Sequence, residues 1–299
     1  MGDRRLIIGL GEILWDVFED ARSLGGAPAN FAYHVNALGE CGIPLSRVGQ
    51  DDLGDEIVQV VDRLGMSTDY LQRDPDHPTS TVPVKVDRDG TPHFTIIEDV
   101  AWDYLEAEEA WLQLAARSEA ICFGTLGQRC PQSRAAIHRV LAEARQALKV
   151  CDINFRQHYY SREVVEKSLA AASVLKLNEQ EVTQLRELLG PGTADEADAF
   201  LRGVIADYGL ELACITLGGD GCRLITRDEV VARPVPPVQV VDTVGSGDAF
   251  AAGLIVKYLE GGSLTAMADA ANLMGACVAG YRGATPALTA EVVEKFHAL

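Results

Sequence analysis

The chain has 299 residues, long enough for two domains or for one large α/β domain with an insertion, and 47% of them are hydrophobic, enough to bury a sizeable core. Its formal charge of −18, from 26 basic and 44 acidic residues, argues against nucleic acid and an anionic membrane surface as partners. A phosphate ligand stays open, because a local pocket of N–H groups and one arginine outweighs a distant field. The N-terminal Met1-Gly2-Asp3-Arg4-Arg5-Leu6 lacks a secretory apolar stretch, and no run reaches transmembrane length. Seven scattered cysteines (41, 122, 130, 151, 214, 222 and 277) contain no C-x-x-C pair, which argues against zinc and dithiol chemistry. The expectation is a cytoplasmic protein with reduced core thiols.

Short apolar runs alternate with helical patterns along the chain, which predicts a parallel sheet with helices on both faces. Strands are expected over 6–11, 45–49, 120–124, 149–154, 174–177, 212–217 and 222–226. Helices are expected over 29–39, 53–64, 132–148, 162–171, 179–189, 196–208, 248–259 and 264–279. The stretch 79–98 breaks this rhythm and reads as a hairpin about Asp87-Arg88-Asp89-Gly90, with an Asp-Gly turn signal. Residues 13–24 add a further strand, so a small β-sheet should project from the main body.

The first strand runs into Gly11-Glu12-Ile13-Leu14-Trp15-Asp16, and Leu24-Gly25-Gly26-Ala27-Pro28-Ala29-Asn30 opens the first helix. Paired glycines allow close backbone approach to a small polar ligand, and Pro28 fits a first helical turn. Asn30 both donates and accepts, which suits a polyol. A plain strand-to-helix connection with a surface Asp16 explains the same residues. Three further motifs fall at predicted strand ends, where open α/β sheets bind ligands. In Asp152-Ile153-Asn154-Phe155-Arg156, an extended chain puts Asp152 and Asn154 on one side, and the Arg156 fork can reach a phosphate. Asn178-Glu179-Gln180-Glu181 has capping-box spacing. Thr216-Leu217-Gly218-Gly219-Asp220-Gly221 joins two strands and also reads as a glycine-rich hairpin.

The most informative stretch is Asp242-Thr243-Val244-Gly245-Ser246-Gly247-Asp248-Ala249-Phe250. Glycines before a small-residue helix let backbone N–H groups approach an anion, which the helix dipole favours. Asp248 beside that cradle is a candidate base next to a transferring phosphoryl group; a turn with Asp248 as N-cap is the structural alternative. No Gly-Lys-Ser/Thr follows, so this is not a Walker A loop, and Gly9-Leu10-Gly11 lacks the third glycine of a dinucleotide fingerprint.

This stretch resembles the C-terminal signature Asp-Thr-x-Gly-Ala-Gly-Asp of the ribokinase-like (PfkB-type) carbohydrate kinases, with Ser246 where alanine is usual. Gly-Gly-Ala-Pro-Ala-Asn resembles the family's N-terminal sugar-binding signature in its fructokinase-like wording. The three intermediate motifs follow in family order, so the resemblance runs from about Gly11 to about Pro286. It implies one ribokinase-like domain over 1–299: a three-layer αβα, Rossmann-like fold with a mainly parallel central sheet, and a β lid from about 13–24 and 79–99. It implies ATP-dependent phosphorylation of a sugar hydroxyl, with Asp248 as base, residues Gly245, Ser246 and Gly247 cradling charge, and Arg156 near the phosphoryl group. Asp16, Gly25, Gly26, Asn30, Asp152 and Asn154 would hold the sugar. Asn178, Thr216, Gly218, Gly221 and Asn272 would contact ATP. Glu181 would organise Mg2+ through water, and Asp242 and Val244 would bind a monovalent cation such as K+. Lid-to-lid homodimers occur among relatives. The wording favours fructose, with ribose, 2-keto-3-deoxygluconate and nucleosides as alternative acceptors. A catalytically silent sugar sensor is the rival of a different class.

Overall fold

The computed structural model describes residues 4–19, 21–86, 92–190 and 196–299. Its strands are β1 (Leu6–Leu10), β2 (Leu14–Val17), β3 (Arg22–Gly25), β4 (Cys41–Gly49), β5 (Leu71–Asp74), β6 (Thr81–Val86), β7 (Pro92–Phe94), β8 (Ala120–Phe123), β9 (Leu148–Asp152), β10 (Val174–Asn178), β11 (Leu212–Thr216), β12 (Cys222–Ile225) and β13 (Val230–Arg233). Its helices are α1 (Ala27–Ala37), α2 (Asp52–Arg63), α3 (Glu109–Ala116), α4 (Pro131–Glu143), α5 (Arg162–Ala171), α6 (Glu179–Leu189), α7 (Ala197–Tyr208), α8 (Ser246–Leu259), α9 (Leu264–Ala279) and α10 (Ala290–His297). No helix among the described residues is long and apolar enough to cross a membrane.

The central sheet has the order β13-β12-β11-β10-β9-β8-β1-β4-β5. It is parallel from β11 to β5, and β12 and β13 extend it antiparallel. Its inner strands, such as β1 and β8, are apolar on both sides because helices cover both faces. One face packs Ile8, Phe123, Leu175 and Ile215 against α4 to α7 through Ile137, Val165, Leu185 and Leu201. The other packs Ile7, Val150 and Val174 against Phe31 of α1 and the alanine-rich α8–α9 pair. That pair is close because a Cβ on Gly253 would stand only 2.9 Å from the Ala270 carbonyl oxygen. The chain leaves β1 for β4 on one side and later returns to β8 on the other. The crevice beyond the C-terminal ends of β1 and β8 is thus a topological switch point.

The second sheet, β3-β2-β6-β7, stands apart from the first. Residues 13–24 supply two antiparallel strands rather than one, and β6 joins them parallel to β2. The turn expected at Asp87-Arg88-Asp89-Gly90 lies outside the described residues. Within β2 the alternation of the pleat separates neighbours: Trp15 turns into a cluster with Leu24, Ala29 and Ile57 and donates Nε1–H to the Leu53 carbonyl at 3.1 Å. Trp15 therefore does not shape the space that Asp16 faces.

Several boundaries differ from the sequence expectation. Helix α4 stops at Glu143 rather than 148, because Leu148 already pairs with Ala120 in the sheet and the chain needs the intervening residues to turn. Strand β4 starts at Cys41, four residues early, in register with Leu6. Helix α8 starts at Ser246, two residues before Asp248, so Asp248 lies inside the first turn rather than before it.

Candidate active site

A cleft of about 470 Å³ opens at the C-terminal ends of the parallel strands. Its walls bring together Asp16, Gly26, Asn30, Asp152, Asn154, Arg156, Asn178, Glu181, Thr216, Val244, Gly245, Gly247 and Asp248 of the residues singled out above. Segments far apart in the chain meet here because every parallel strand ends at this edge.

The first wall is built by α1. Its N-cap Gly26 has φ 107°, in the left-handed region, and a Cβ there would stand 2.4 Å from the Glu12 carbonyl oxygen. Glycine is required for both reasons. One turn into the helix, Asn30 donates Nδ2–H to Asp248 Oδ2 at 2.8 Å. The Asn30 side chain thus grips the candidate base, while its buried Oδ1 has no protein partner. Gly25 lies behind this wall, where a Cβ would meet Asp16 Oδ2 at 2.3 Å.

The second wall is the N-terminal turn of α8. Gly245 takes φ 77°, and a side chain there would collide with Ala284, whose Cα would stand 2.6 Å from the added carbon. Ala284 is held in turn by α1: its carbonyl accepts from His34 Nε2 at 2.8 Å, and Tyr33 Oη donates to the Pro286 carbonyl at 3.0 Å. The four N–H groups of residues 245–248 are not all free. Ser246 N–H donates to Thr243 O and Asp248 N–H to Gly245 O. Among the described residues no backbone carbonyl takes the N–H of Gly245 or Gly247, so these two donors of the turn remain available to a ligand.

The strand ends supply the charges. Asn154 is not extended, with φ 42°, yet both it and Asp152 face the cleft. Asn178 and Glu181 form the capping box at the start of α6: Glu181 N–H donates to Asn178 Oδ1 at 2.9 Å and Asn178 N–H to Glu181 Oε2 at 2.8 Å. Glu181 Oε1 also accepts from Phe155 N–H at 3.0 Å. Each carboxylate oxygen keeps a second lone pair for a metal-bound water. Arg156 is exposed at the rim, where its charge acts on Glu12, Asp16 and Asp248 alike.

Burial sets the protonation of the cleft. Desolvation, with a smaller push from Asp152, raises the Asp248 pKa to about 6 against the pull of Asn30, Lys176 and Arg156. Desolvation likewise raises Asp16 to about 6, opposed by Arg156. A carboxyl poised near neutral pH beside an anion cradle suits a general base.

Some expected residues lie outside the cleft lining. Asn272 donates Nδ2–H to the carbonyls of Arg233 and Pro234 at 3.0 and 3.2 Å, so it anchors the exit of β13. Gly221 serves packing, since a Cβ would stand 2.0 Å from the Arg233 carbonyl oxygen. Gly218 opens a short 3-10 turn with φ 56°. Asp242 accepts Val244 N–H and Gly283 N–H, both at 3.0 Å, so its side chain ties the loop before α8 to the loop after α9.

Two cleft residues escaped the sequence reading. Glu12, two residues past the end of β1, is 4% exposed with its Oε2 unpartnered, and Lys176 interrupts the apolar run of β10. A charged residue ending or interrupting an apolar buried strand was the available signal for both. Desolvation raises the Glu12 pKa to about 7, with the neighbouring Asp248 adding to it. A carboxyl whose pKa is higher folded than unfolded takes up a proton on folding between about pH 4.5 and 7, so its contribution to stability falls as pH rises through that window. Glu12→Gln is therefore expected to raise stability at pH 8 by ~3 kcal/mol, the scale of such a shift, and to leave it nearly unchanged at about pH 4, below the unfolded value. Denaturant melts of both proteins at the two pH values check this; a gain independent of pH would contradict it.

The family comparison agrees with the site. Residues 8–291 match the family described as pfkB family carbohydrate kinase. The chain is 31% identical over 278 residues to aminoimidazole riboside kinase of Salmonella typhimurium, covering 88% of this chain and 84% of that protein. It is 29% identical over 297 residues to a fructokinase of Klebsiella pneumoniae, covering 94% of each. Among solved structures, an uncharacterized sugar kinase of Pyrococcus horikoshii in complex with ATP superposes with a TM-score of 0.82 at 27% identity, over 94% of both chains.

Proposed function

As this chain belongs to the pfkB family of carbohydrate kinases, we propose that its cleft transfers the γ-phosphoryl group of ATP to a hydroxyl of a small neutral sugar. One observation carries the reading: a single cleft holds the Asp248 carboxylate between the two-donor cradle of α8 and a wall rich in hydroxyl acceptors. Asp248 takes the hydroxyl proton as the sugar oxygen attacks phosphorus, and ADP leaves. The Gly245 and Gly247 N–H groups and Arg156 stabilise the charge that develops on the transferring oxygens. Asp16, Asn154 and the unpartnered Asn30 Oδ1 accept the remaining sugar hydroxyls, and Asp152 supports them. Asn178, Thr216, Gly218 and Gly221 border the nucleotide, with Asn272 positioning the β13 exit from behind.

A divalent cation, Mg2+ in this reading, would be held through water by Glu181; it supplies charge neutralisation for the phosphate oxygens. A monovalent cation such as K+ would sit on the backbone carbonyls of Asp242 and Val244. The chain forms a single domain whose small sheet acts as a lid, since Asp16, Val82 and Ile96 from that side border the cleft. Its closure excludes water from the phosphoryl group. The free edges of that sheet are also the surface through which a homodimer would form. Seven unpaired thiols and an ATP requirement fit the cytoplasm.

Fructose is the first acceptor to test, in keeping with the fructokinase relative. A riboside is the second, favoured by the 31% identity to the Salmonella enzyme. An acidic sugar is the third: Glu12, Asp16 and Asp248 oppose its carboxylate, and Arg156 in the same cleft attracts it. The test is ADP release with ATP and magnesium across fructose, ribose, 2-keto-3-deoxygluconate and aminoimidazole riboside. Release that depends on one neutral acceptor supports the reading; sugar binding without turnover would make the protein a sensor instead. Within this reading Asp16→Ala weakens sugar affinity by ~10–100-fold, as for a hydrogen bond to a charged group, and changes ATP affinity less than about twofold. Separate titrations of the two ligands check it, and an unaltered sugar affinity would remove Asp16 from the sugar site.

A further inference from the structure

Lys176 sits in the middle of β10, where Val174 and Lys176 face the α8 side of the sheet and Leu175 and Leu177 the other. Only 8% of its side chain is exposed, and its ammonium donates to Asp152 Oδ2 at 2.7 Å, the residue beside it in the parallel register. A buried ion pair of this kind adds little to stability by itself. Three observations point beyond stability. Lys176 lines the same cleft as Asp248, Gly245 and Gly247. A Cβ on Gly247 would stand 3.4 Å from Lys176 Nζ, so the ammonium lies directly against the first turn of α8. The N–H groups of Gly245 and Gly247 beside it have no backbone acceptor among the described residues. An ammonium and the positive end of a helix dipole thus converge on one spot, an arrangement that an anionic ligand between them satisfies.

We propose that Lys176 is a catalytic residue of phosphoryl transfer, its ammonium contacting the transferring phosphoryl oxygens alongside the Gly247 N–H. This rests on the reading of Asp248 as the base. In the step concerned, the bond from the sugar oxygen to phosphorus forms as the bond from phosphorus to the β-phosphate oxygen breaks. The hydroxyl proton passes to Asp248, and ADP departs with the bonding pair. The lysine gives up no proton. It balances negative charge, and it is fitted to stay charged: burial alone would pull its pKa down, but Asp152, Asp248 and Glu181 outweigh burial and raise it.

Lys176 also acts on Asp248. The groups that face Asp248 are Glu12 after β1, Asn30 of α1, Cys122 of β8, Asp152 of β9, Arg156 after it and Lys176 of β10. Glu12 and Asp152 oppose ionisation of Asp248; Asn30, Arg156 and Lys176 favour it. Removing the lysine therefore moves the acid limb of kcat to higher pH, which a purely structural role would not do.

The experiment is steady-state kinetics of Lys176→Met with ATP, magnesium and the best acceptor, alongside sugar binding by calorimetry. The expected result is a fall in kcat of ~10²–10³-fold, as for loss of one charge-stabilising donor, with sugar affinity within about threefold and the acid limb displaced upwards. A kcat within about threefold of wild type, or a loss that leaves the acid limb in place, overturns the proposal. Should Lys176→Met fail to bind sugar, Lys176→Arg, which keeps a cation opposite Asp152, carries the test: kcat about tenfold lower is expected, and wild-type kcat overturns the assignment. Asp248→Asn in the same assay separates the two levels. A full-speed Asp248→Asn sinks the base assignment itself; a slow Asp248→Asn beside a full-speed Lys176→Met sinks the lysine assignment alone.

Discussion

Replacing Asp248 by asparagine is expected to lower kcat by ~10²–10⁴-fold, the usual scale for loss of a general base. The substitution keeps the size of the side chain and an oxygen able to accept from Asn30 Nδ2, so the α1–α8 contact at 2.8 Å survives. It removes a carboxylate that lies in the N-terminal turn of α8, borders the cleft and is poised to take a proton. Sugar and ATP affinities should change little, so kcat and kcat/KM fall together, the pattern of an interaction made in the transition state. Turnover with saturating acceptor, measured by ADP release, checks it. Turnover equal to wild type would remove Asp248 from the role and leave it as a helix-turn residue.

The second large effect is on pH. Desolvation holds Asp248 near a pKa of about 6, above its ordinary value, and the base works only when ionised. The sign follows directly: kcat/KM, which reports the free enzyme, is level above that pH and falls about tenfold per unit below it, so a drop from pH 6 to pH 4 costs on the order of 100-fold. Asp16 titrates in the same range, so the acid limb of kcat/KM steepens beyond tenfold per unit if sugar binding needs its charge. A pH–rate profile between 4 and 8, with stability monitored at each pH, checks this. A profile that is flat down to pH 4 would contradict both the environment and the role.

Much of the site was legible because its residues are local motifs. Gly245 and Gly26 announce a backbone that no side chain allows, and each has a positive φ and a collision partner to explain it. The capping box of Asn178 and Glu181 is present in both directions, and it coexists with a place in the cleft wall. What the sequence hid was mostly non-local. Strands β5 and β13 were missed for a local reason: each is an edge element of 4 residues, too short for a firm alternating pattern, and pairs with a strand shortly before it in the chain, β4 or β12. Helix α3 is brief at 8 residues and α10 equally so, too short for a firm periodic pattern. The Asn30–Asp248 bond joins residues 218 apart, and spacing carries no trace of it. Lys176 and Glu12 look like ordinary charges until the parallel sheet lays Lys176 beside Asp152 and the switch point brings Glu12 against Asp248. For Asn272, which the family resemblance places near the nucleotide, the fold adds what the sequence does not show: its amide donates to two carbonyls of the β13 exit.

The central claim is that Asp248 meets the acceptor hydroxyl at the α8 cradle, and one structure tests it most directly. A ternary complex with fructose, or the acceptor that turns over best, and a non-hydrolysable ATP analogue should place one hydroxyl oxygen about 3 Å from an Asp248 carboxylate oxygen, facing the terminal phosphate held at Gly245 and Gly247. A complex in which both ligands bind while the Asp248 carboxylate touches neither, or in which the terminal phosphate lies away from the first turn of α8, would contradict it.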